Sequence, residues 1–183
     1  MTDLTTVTFT ATELRVPSMD ERIIEGIVVP WNETSFLTPE ARGERFLPGS
    51  MTRTIAERGM RVKLYRTHDH DRAIGRPLEW NAVHDAGLFG RFRIAQTPAG
   101  DEALHEVREG MLDAFSVGFR AIRTRRGDDG AREVLEAALH ETSLAPVGAY
   151  DGAQVLAVRT PAVPALPPMP AVDLSPIGPF RRA

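Results

Sequence analysis

The sequence predicts an α+β fold in which strands dominate, and two observations lead to this class. Short runs rich in β-branched and aromatic residues recur along the chain, and glycine, proline or asparagine ends most of them. Two further segments carry apolar residues at the three- and four-residue spacing of an amphipathic helix. The chain of 183 residues is 42% hydrophobic and 26% charged, a composition typical of a globular domain with its own core.

The predicted strands begin with residues 7–29, which break near Pro17 and end at Pro30. A hairpin is expected over residues 78–94, because Asp85, Ala86 and Gly87 form a turn between two apolar runs. The other strands are predicted at residues 61–66, 114–124, 132–144 and 153–159, with residues 125–130 as an exposed hairpin loop.

Two helices are predicted between these strands. Ser50 is expected to cap the first helix, and Gly59 is expected to end it. The second helix is expected over residues 100–112. Its apolar face contains Ala103, Leu104, Val107 and Met111. We expect this face to pack against the core.

The composition changes near the end of the chain. Seven prolines lie between residues 161 and 179, and proline interrupts helices and central strands alike. The sequence therefore predicts one folded domain over residues 1–160, followed by a proline-rich, disordered tail over residues 161–183.

Charge and composition exclude several classes of function. The net charge of -3 lacks the basic excess that phosphate binding requires, so nucleic acid is not expected as a partner. No apolar stretch is long enough to cross a bilayer and no signal peptide is apparent, so no membrane association is expected. The absence of cysteine excludes a thiol nucleophile, disulfide bonds and thiolate metal sites.

Ser116 is a candidate nucleophile because of the strand in which it lies. Side chains alternate along a strand, so Ser116 and Gly118 share one face. The opposite face contains Phe115, Val117, Phe119 and Ala121. A nucleophile requires an accessible hydroxyl on a rigid element with space in front of it, and Gly118 leaves such space. The alternation by itself is more typical of an ordinary serine in a half-buried strand.

The residues His68, Asp69, His70 and Asp71 allow three interpretations. They are typical of a polar turn between a strand and the apolar residue that follows. A histidine among them can act as a general base, because its pKa lies near neutrality. The spacing of the two histidines also suits two metal ligands on a strand, with an aspartate as oxygen donor.

His140 and Glu141 are candidates for a third group that orients a catalytic base. Adjacent residues of a strand point to opposite faces, so only one of them can address a given site. The alternative is a charged pair on an edge strand.

The order and spacing of these segments resemble the prohead protease family of tailed bacteriophages, which is related in fold to the herpesvirus assemblins. The resemblance runs from about residue 23 to residue 159. LYRTHD at residues 64–69, followed by Ile74-Gly75, looks like the histidine motif of the family. EGMLDAFSVGF at residues 109–119 looks like its nucleophile motif. Further similar segments are IEGIVVPW at residues 24–31, ERFLPGSM at residues 44–51 and LHETSL at residues 139–144.

The resemblance implies an assemblin-like, closed or partly open β-barrel with a few flanking helices, in which residues 1–160 are the protease domain. It also implies roles for the candidate residues. Ser116 would be the nucleophile, and His68 would be the general base because it holds the motif position relative to Ile74-Gly75. Glu141 would be the third catalytic residue, with His140 as the alternative because assemblins use a second histidine there.

The resemblance further implies a serine endopeptidase without cofactor or metal that acts during prohead maturation. Its substrates would be the major capsid protein, with its scaffolding region, and the protease itself, through self-cleavage and a possible dimer. It would act inside the assembling procapsid in the cytoplasm of the bacterial host. Two alternatives remain open: an inactive, protease-like scaffold protein of capsid assembly, and a metal-dependent hydrolase built on residues 68–71.

Overall fold

Residues 21–35 and 42–159, which the computed structural model describes, form eight strands, two α-helices and one 3₁₀ turn. The elements in chain order are β1 (Ile23–Pro30), β2 (Glu44–Phe46), α1 (Thr52–Arg58), the 3₁₀ turn (Gly59–Arg61), β3 (Leu64–Arg66), β4 (Ala73–Asn81), β5 (Gly87–Ile94), α2 (Pro98–Arg108), β6 (Ala114–Arg126), β7 (Arg132–Ala145) and β8 (Val155–Arg159). The first part of the predicted strand at 7–29 and the predicted tail at 161–183 lie outside the described residues.

All eight strands belong to one mixed sheet. Neighbouring strands follow the order β2-β7-β3-β4-β5-β1-β8, and β6 pairs with the other edge of β7. The long strand β7 is the centre of this arrangement, because β2 pairs with its start and β3 with its end, both in parallel. This topology confirms the predicted fold class, α+β and mainly β.

The sheet curves round without closing into a barrel. At the seam between its ends, Ala114 in β6 forms an isolated bridge with Gln154, and the backbone N–H of Phe115 donates to the carbonyl of Ala153 at 2.8 Å. Of the strands in the described ranges, β6 pairs only with β7 over the rest of its length. Of the two expected forms, closed and partly open, the structure therefore has the partly open β-barrel.

The core lies inside the curved sheet and is rich in aromatic rings. Phe46, Phe92 and Phe115 are fully buried, and the Phe92 ring lies 5.7 Å from that of Phe115. The helix α2 contributes Ala103, Leu104 and Val107 to this core. No helix within residues 21–35 and 42–159 is long and apolar enough to cross a membrane.

Both helices differ from prediction at their ends. The helix α2 begins at Pro98, because the Thr97 hydroxyl accepts a hydrogen bond from the Gly100 N–H at 3.2 Å and caps it. It ends at Arg108, since Gly110 adopts a left-handed φ of 69° that reverses the chain. Met111 consequently leaves the predicted apolar stripe and is 60% exposed.

The prediction that Ser50 caps the first helix is wrong. Met51 occupies the cap position of α1 without a side-chain hydrogen bond. Ser50 is instead buried one residue earlier, where its carbonyl accepts from the Ala137 N–H at 2.9 Å. Contact with β7 thus decides the start of the helix. The predicted strand at 61–66 is also shorter, because the 3₁₀ turn ends at Arg61.

Candidate active site

The side chains of Ser116, His68 and Glu141 form a continuous chain of contacts. The hydroxyl Oγ of Ser116 lies 2.9 Å from Nε2 of His68. The other ring nitrogen, Nδ1, contacts the carboxylate oxygen Oε1 of Glu141. Glu141 is buried, whereas the His68 ring is nearly half exposed. The sequence candidates from three separate segments therefore meet at one place.

Strand register brings these segments together. In the antiparallel pair of β6 and β7, Ser116 lies opposite Ser143 and Gly118 lies opposite Glu141, so all four are on neighbouring positions of one face. The strand β3 pairs in parallel with the end of β7, with Arg66 opposite Leu144. The turn that follows β3 therefore lies over the position where Ser116 and Ser143 meet.

A strained turn aims His68 at Ser116. Thr67 and His68 have φ angles of 48° and 62°, in the left-handed region that few residues other than glycine adopt, at roughly 1–3 kcal/mol each. Three hydrogen bonds hold this backbone. The N–H of Thr67 donates to the Leu144 carbonyl at 2.9 Å, that of His68 to the Ser143 hydroxyl at 3.2 Å, and that of Asp69 to the Arg66 carbonyl at 3.0 Å.

The hydrogen-bond partners define the tautomer of His68. An ionised Glu141 carboxylate only accepts hydrogen bonds, so Nδ1 of His68 carries the proton that faces it. Nε2 then has a free lone pair directed at the Ser116 hydroxyl. In this form the ring is able to accept the serine proton, and the carboxylate is able to stabilise the positive charge that results.

Ser143 belongs to the site, although the sequence did not single it out. Its side chain is fully buried between the other groups. The Ser143 hydroxyl accepts from the His68 backbone N–H and donates to Oε2 of Glu141 at 2.9 Å. Ser143 therefore connects the backbone of the proposed base to the carboxylate that faces its ring. The sequence signal that could have identified it is its two-residue spacing from Glu141, which places both on one face of β7.

Gly118 leaves the space that the Glu141 carboxylate occupies. A Cβ atom on Gly118 would lie 2.6 Å from Cγ and 2.7 Å from Oε1 of Glu141. Both distances are well below van der Waals contact. The small residue that the sequence places beside Ser116 thus makes room for the acid, in addition to the space in front of the serine.

A comparison with known protein families found a match for this chain. A family model described as Caudovirus prohead serine protease matches residues 10–164, which is more than half of the chain and includes all three candidate residues. The chain belongs to this family. It is therefore a peptidase of phage capsid maturation, which acts in the assembling procapsid.

Two solved proteases match this prohead protease at low sequence identity. The capsid assembly protease gp21 of bacteriophage T4 is 14% identical, with a TM-score of 0.49, over 67% of this chain and 81% of that chain. KSHV protease, solved with a hexapeptide phosphonate inhibitor, is 13% identical, with a TM-score of 0.42, over 69% of this chain and 60% of that chain. No curated protein matches the chain significantly. The assignment of this chain to the prohead protease family therefore rests on the match to the family model.

The two other histidines of these motifs are placed differently from His68 in this prohead protease. His140 is exposed and alternates with the buried Glu141, so it points away from the site. His70 is 67% exposed, with Nε2 at 3.5 Å from Oε2 of Glu141 and its ring beside Tyr65. His70 thus borders the carboxylate from outside, and only His68 contacts both Ser116 and Glu141.

The metal interpretation of residues 68–71 depended on a cluster of ligands. Within the part of the chain that the structure describes, no group of three or more histidine, cysteine, aspartate or glutamate side chains is arranged to hold a metal ion. Asp69 instead accepts from the Asp71 N–H at 3.2 Å, an arrangement typical of a polar turn.

Proposed function

We propose that this prohead protease is a serine endopeptidase in which Ser116 is the nucleophile, His68 the general base and Glu141 the residue that orients the base. The observation that carries this proposal is the contact chain from the Ser116 hydroxyl through both nitrogens of His68 to Glu141. A serine hydroxyl is a weak nucleophile at neutral pH, and an adjacent base within hydrogen-bond distance activates it. The protease domain would comprise residues 1–160.

The proposed reaction proceeds by acyl transfer. Nε2 of His68 takes the proton of Ser116 while Oγ attacks the peptide carbonyl, which forms a tetrahedral intermediate. The protonated ring then gives its proton to the departing amine, and an acyl-enzyme remains on Ser116. A water molecule, deprotonated by the same nitrogen, releases the acyl group. The negative charge of Glu141 stabilises the ring whenever it is protonated.

The proposed substrates are the major capsid protein, with its scaffolding region, and the protease itself. Enclosure in a procapsid in the host cytoplasm raises the local concentration of both, so a modest turnover would suffice. Self-cleavage would remove part of the proline-rich tail at 161–183, and two copies of the enclosed chain would form a dimer. Mass spectrometry of mature particles should then show a shortened chain, and an intact retained tail would contradict self-cleavage.

A fluorophosphonate reagent provides a direct test of the serine mechanism. Such reagents form a covalent bond with activated serine hydroxyls, and peptide mapping identifies the modified residue. We expect labelling of Ser116, loss of labelling in His68→Ala, and cleavage of co-expressed capsid protein that is insensitive to chelators. Cleavage that a chelator abolishes and Ser116→Ala leaves intact would support the metal-dependent alternative. A folded chain that is neither labelled nor active would support the inactive scaffold.

The hydrogen bonds of Ser143 predict that this residue positions His68 and Glu141. We expect Ser143→Ala to lower kcat about 10- to 100-fold with little change in KM, since one buried hydrogen-bond partner of Glu141 and of the His68 backbone is lost. Ser143→Thr retains the hydroxyl and should recover part of the rate. Peptide cleavage under saturating substrate, with the pH profile of kcat, measures both variants. Equal activity and unchanged pH profiles in Ser143→Ala and wild type would contradict this role.

The close approach of Gly118 to Glu141 predicts that a larger residue at position 118 would displace the carboxylate. In Gly118→Ala the new Cβ displaces the Glu141 carboxylate, so we expect a loss of activity of about 10- to 100-fold in a chain that still folds. A double-mutant cycle tests the cause. In a Glu141→Ala background the same glycine substitution should have almost no further effect. A similar loss in both backgrounds would show that Gly118 acts through something other than Glu141.

A further inference from the structure

The side chain of Arg66 joins the strand that precedes His68 to the helix α2. Its Nε donates to Oε2 of Glu106 at 2.8 Å, and one of its terminal nitrogens donates to Oε1 of the same carboxylate. Two hydrogen bonds of this kind fix the orientation of an ion pair as well as its distance. Glu102, one turn earlier on α2, lies 3.8 Å from the same guanidinium and adds negative charge beside it. Arg66 is therefore held to one face of α2 in a defined geometry.

This ion pair is largely shielded from water at its acidic end. The Glu106 side chain is 13% exposed and that of Arg66 is 36% exposed. Fully exposed ion pairs contribute little, because water screens them and long side chains lose freedom when they pair. A carboxylate that is mostly buried, in contrast, is costly to leave without its partner. Removal of the arginine would therefore force Glu106 and its surroundings to move towards water.

Arg66 is also the first residue of the strained turn that aims His68. Its carbonyl accepts from the Asp69 N–H at 3.0 Å, and its backbone lies opposite Leu144 in β7. Hydrogen bonds from Thr67 and His68 hold this turn on the side of β7. The Arg66 side chain holds it on the side of α2. A strained backbone persists only where its surroundings fix it in several directions, so both sets of contacts are needed to keep the ring in place.

Glu106 connects the same helix to the segment that leads to Ser116. Its backbone carbonyl accepts from the Met111 N–H at 2.8 Å and from the Leu112 N–H at 3.4 Å. Leu112 is buried in the core, and β6 begins two residues later. One residue of α2 thus contacts both segments that carry the reacting groups. Its carboxylate binds the strand before His68, and its carbonyl binds the loop before Ser116.

We propose that Arg66 and Glu106 are positioning residues of this protease, which together set the distance between the ring of His68 and the hydroxyl of Ser116. The inference rests on the proposed function of those two groups. The pair acts through the backbone of β3 and of the loop before β6. Proton transfer depends steeply on the separation of the two heavy atoms, and a displacement of about 1 Å at a catalytic group costs roughly 100-fold in rate.

Steady-state cleavage of one peptide by the full chain tests this role. We expect Arg66→Ala to lower kcat about 10- to 100-fold while KM changes by less than about twofold, because the base is displaced and substrate binding is not. Arg66→Lys keeps the charge but lacks the forked guanidinium, so it should recover only part of the rate. The rate at which a fluorophosphonate labels Ser116, which requires no peptide binding, should fall in parallel with kcat.

A double-mutant cycle shows whether the two side chains act as one unit. Glu106→Ala should lower kcat by a factor similar to that of Arg66→Ala. The double variant should be slower than either single variant by no more than about threefold, because the interaction is already lost in each of them. Losses that multiply in the double variant would contradict the pair.

Arg45→Ala is the matched control. Arg45 forms a comparable two-donor ion pair with the buried Glu133. Glu133 lies ten residues before Ser143, about 33 Å along β7. Arg45→Ala should lower the temperature of unfolding at least as much as Arg66→Ala and leave kcat within about twofold of wild type.

Thermal unfolding of every variant identifies any that fails to fold, and the lysine substitution at the same position then replaces it. Wild-type kcat and labelling in the folded Arg66 variants would overturn the positioning role. An equal loss of kcat in Arg45→Ala would overturn it as well, since the effect would then belong to any ion pair of the fold. Absence of any Ser116-dependent cleavage by wild type would instead overturn the proposed function.

Discussion

Replacing Ser116 with alanine is expected to lower the rate of capsid-protein cleavage by about 10⁴- to 10⁶-fold, the range found when other serine proteases lose their nucleophile. The variant lacks the only atom that would form the acyl-enzyme. Its fold should be retained, because Ser116 is only partly buried and the substitution removes a single oxygen from a strand that pairs with β7 along its length. Co-expression with the capsid protein, followed by mass spectrometry, measures the effect directly.

Ser50→Ala is a matched control for this substitution. Ser50 is buried beside β7, and within the described ranges its hydroxyl has no hydrogen-bond partner. Its removal should therefore leave both cleavage and stability close to wild type. If the capsid protein is still shortened in the Ser116→Ala variant, the assignment of the nucleophile is wrong. If Ser50→Ala abolishes cleavage as well, the loss in either variant reflects the fold and leaves the chemistry untested, so thermal unfolding accompanies both measurements.

The second large effect is expected from Glu141→Gln, with a loss in kcat of about 10²- to 10⁴-fold. The amide has nearly the shape of the carboxylate, so the packing against Gly118 persists. It has no charge, however, and no longer stabilises a protonated His68 ring. Its NH₂ group also donates hydrogen bonds, which favours the tautomer whose Nε2 carries the proton and is unable to accept from Ser116.

His140→Ala is the variant to compare with Glu141→Gln, because His140 is the alternative third catalytic residue. His140 precedes Glu141 in β7 and is exposed, so its removal should change kcat by less than about twofold, as for most surface substitutions. Single-turnover cleavage of one peptide by both variants separates the two assignments. A larger loss from His140→Ala than from Glu141→Gln would transfer the role of third catalytic residue to His140.

The strands around Ser116 show how much could be predicted from local pattern. Alternation over residues 114–119 placed Phe115 on one face and Ser116 with Gly118 on the other. In the structure Phe115 is fully buried, and Ser116 and Gly118 lie along Ser143 and Glu141. The pattern succeeded because the two-residue period of a strand is a local property of the backbone. The same reasoning predicted the hairpin of β6 and β7 to within two residues at its ends.

Features that depend on contacts between distant segments could not be predicted from the local sequence pattern. The start of α1, for example, coincides with the hydrogen bond from the Ala137 N–H in β7 to the Ser50 carbonyl. The left-handed conformation of Thr67 and His68 was also unforeseen, because a β-branched residue and a histidine seldom adopt it. It persists because β7 supplies the hydrogen bonds that hold the turn.

By itself the sequence determined the mainly β fold class, the family and the small set of residues able to carry the chemistry, because periodicity, spacing and side-chain type are written along the chain. Only the tertiary structure decided which of His68 and His70 contacts Ser116, which of His140 and Glu141 faces the site, and that Ser143 connects them. These are relations between strands far apart in sequence, and register and curvature establish them only once the whole sheet has formed.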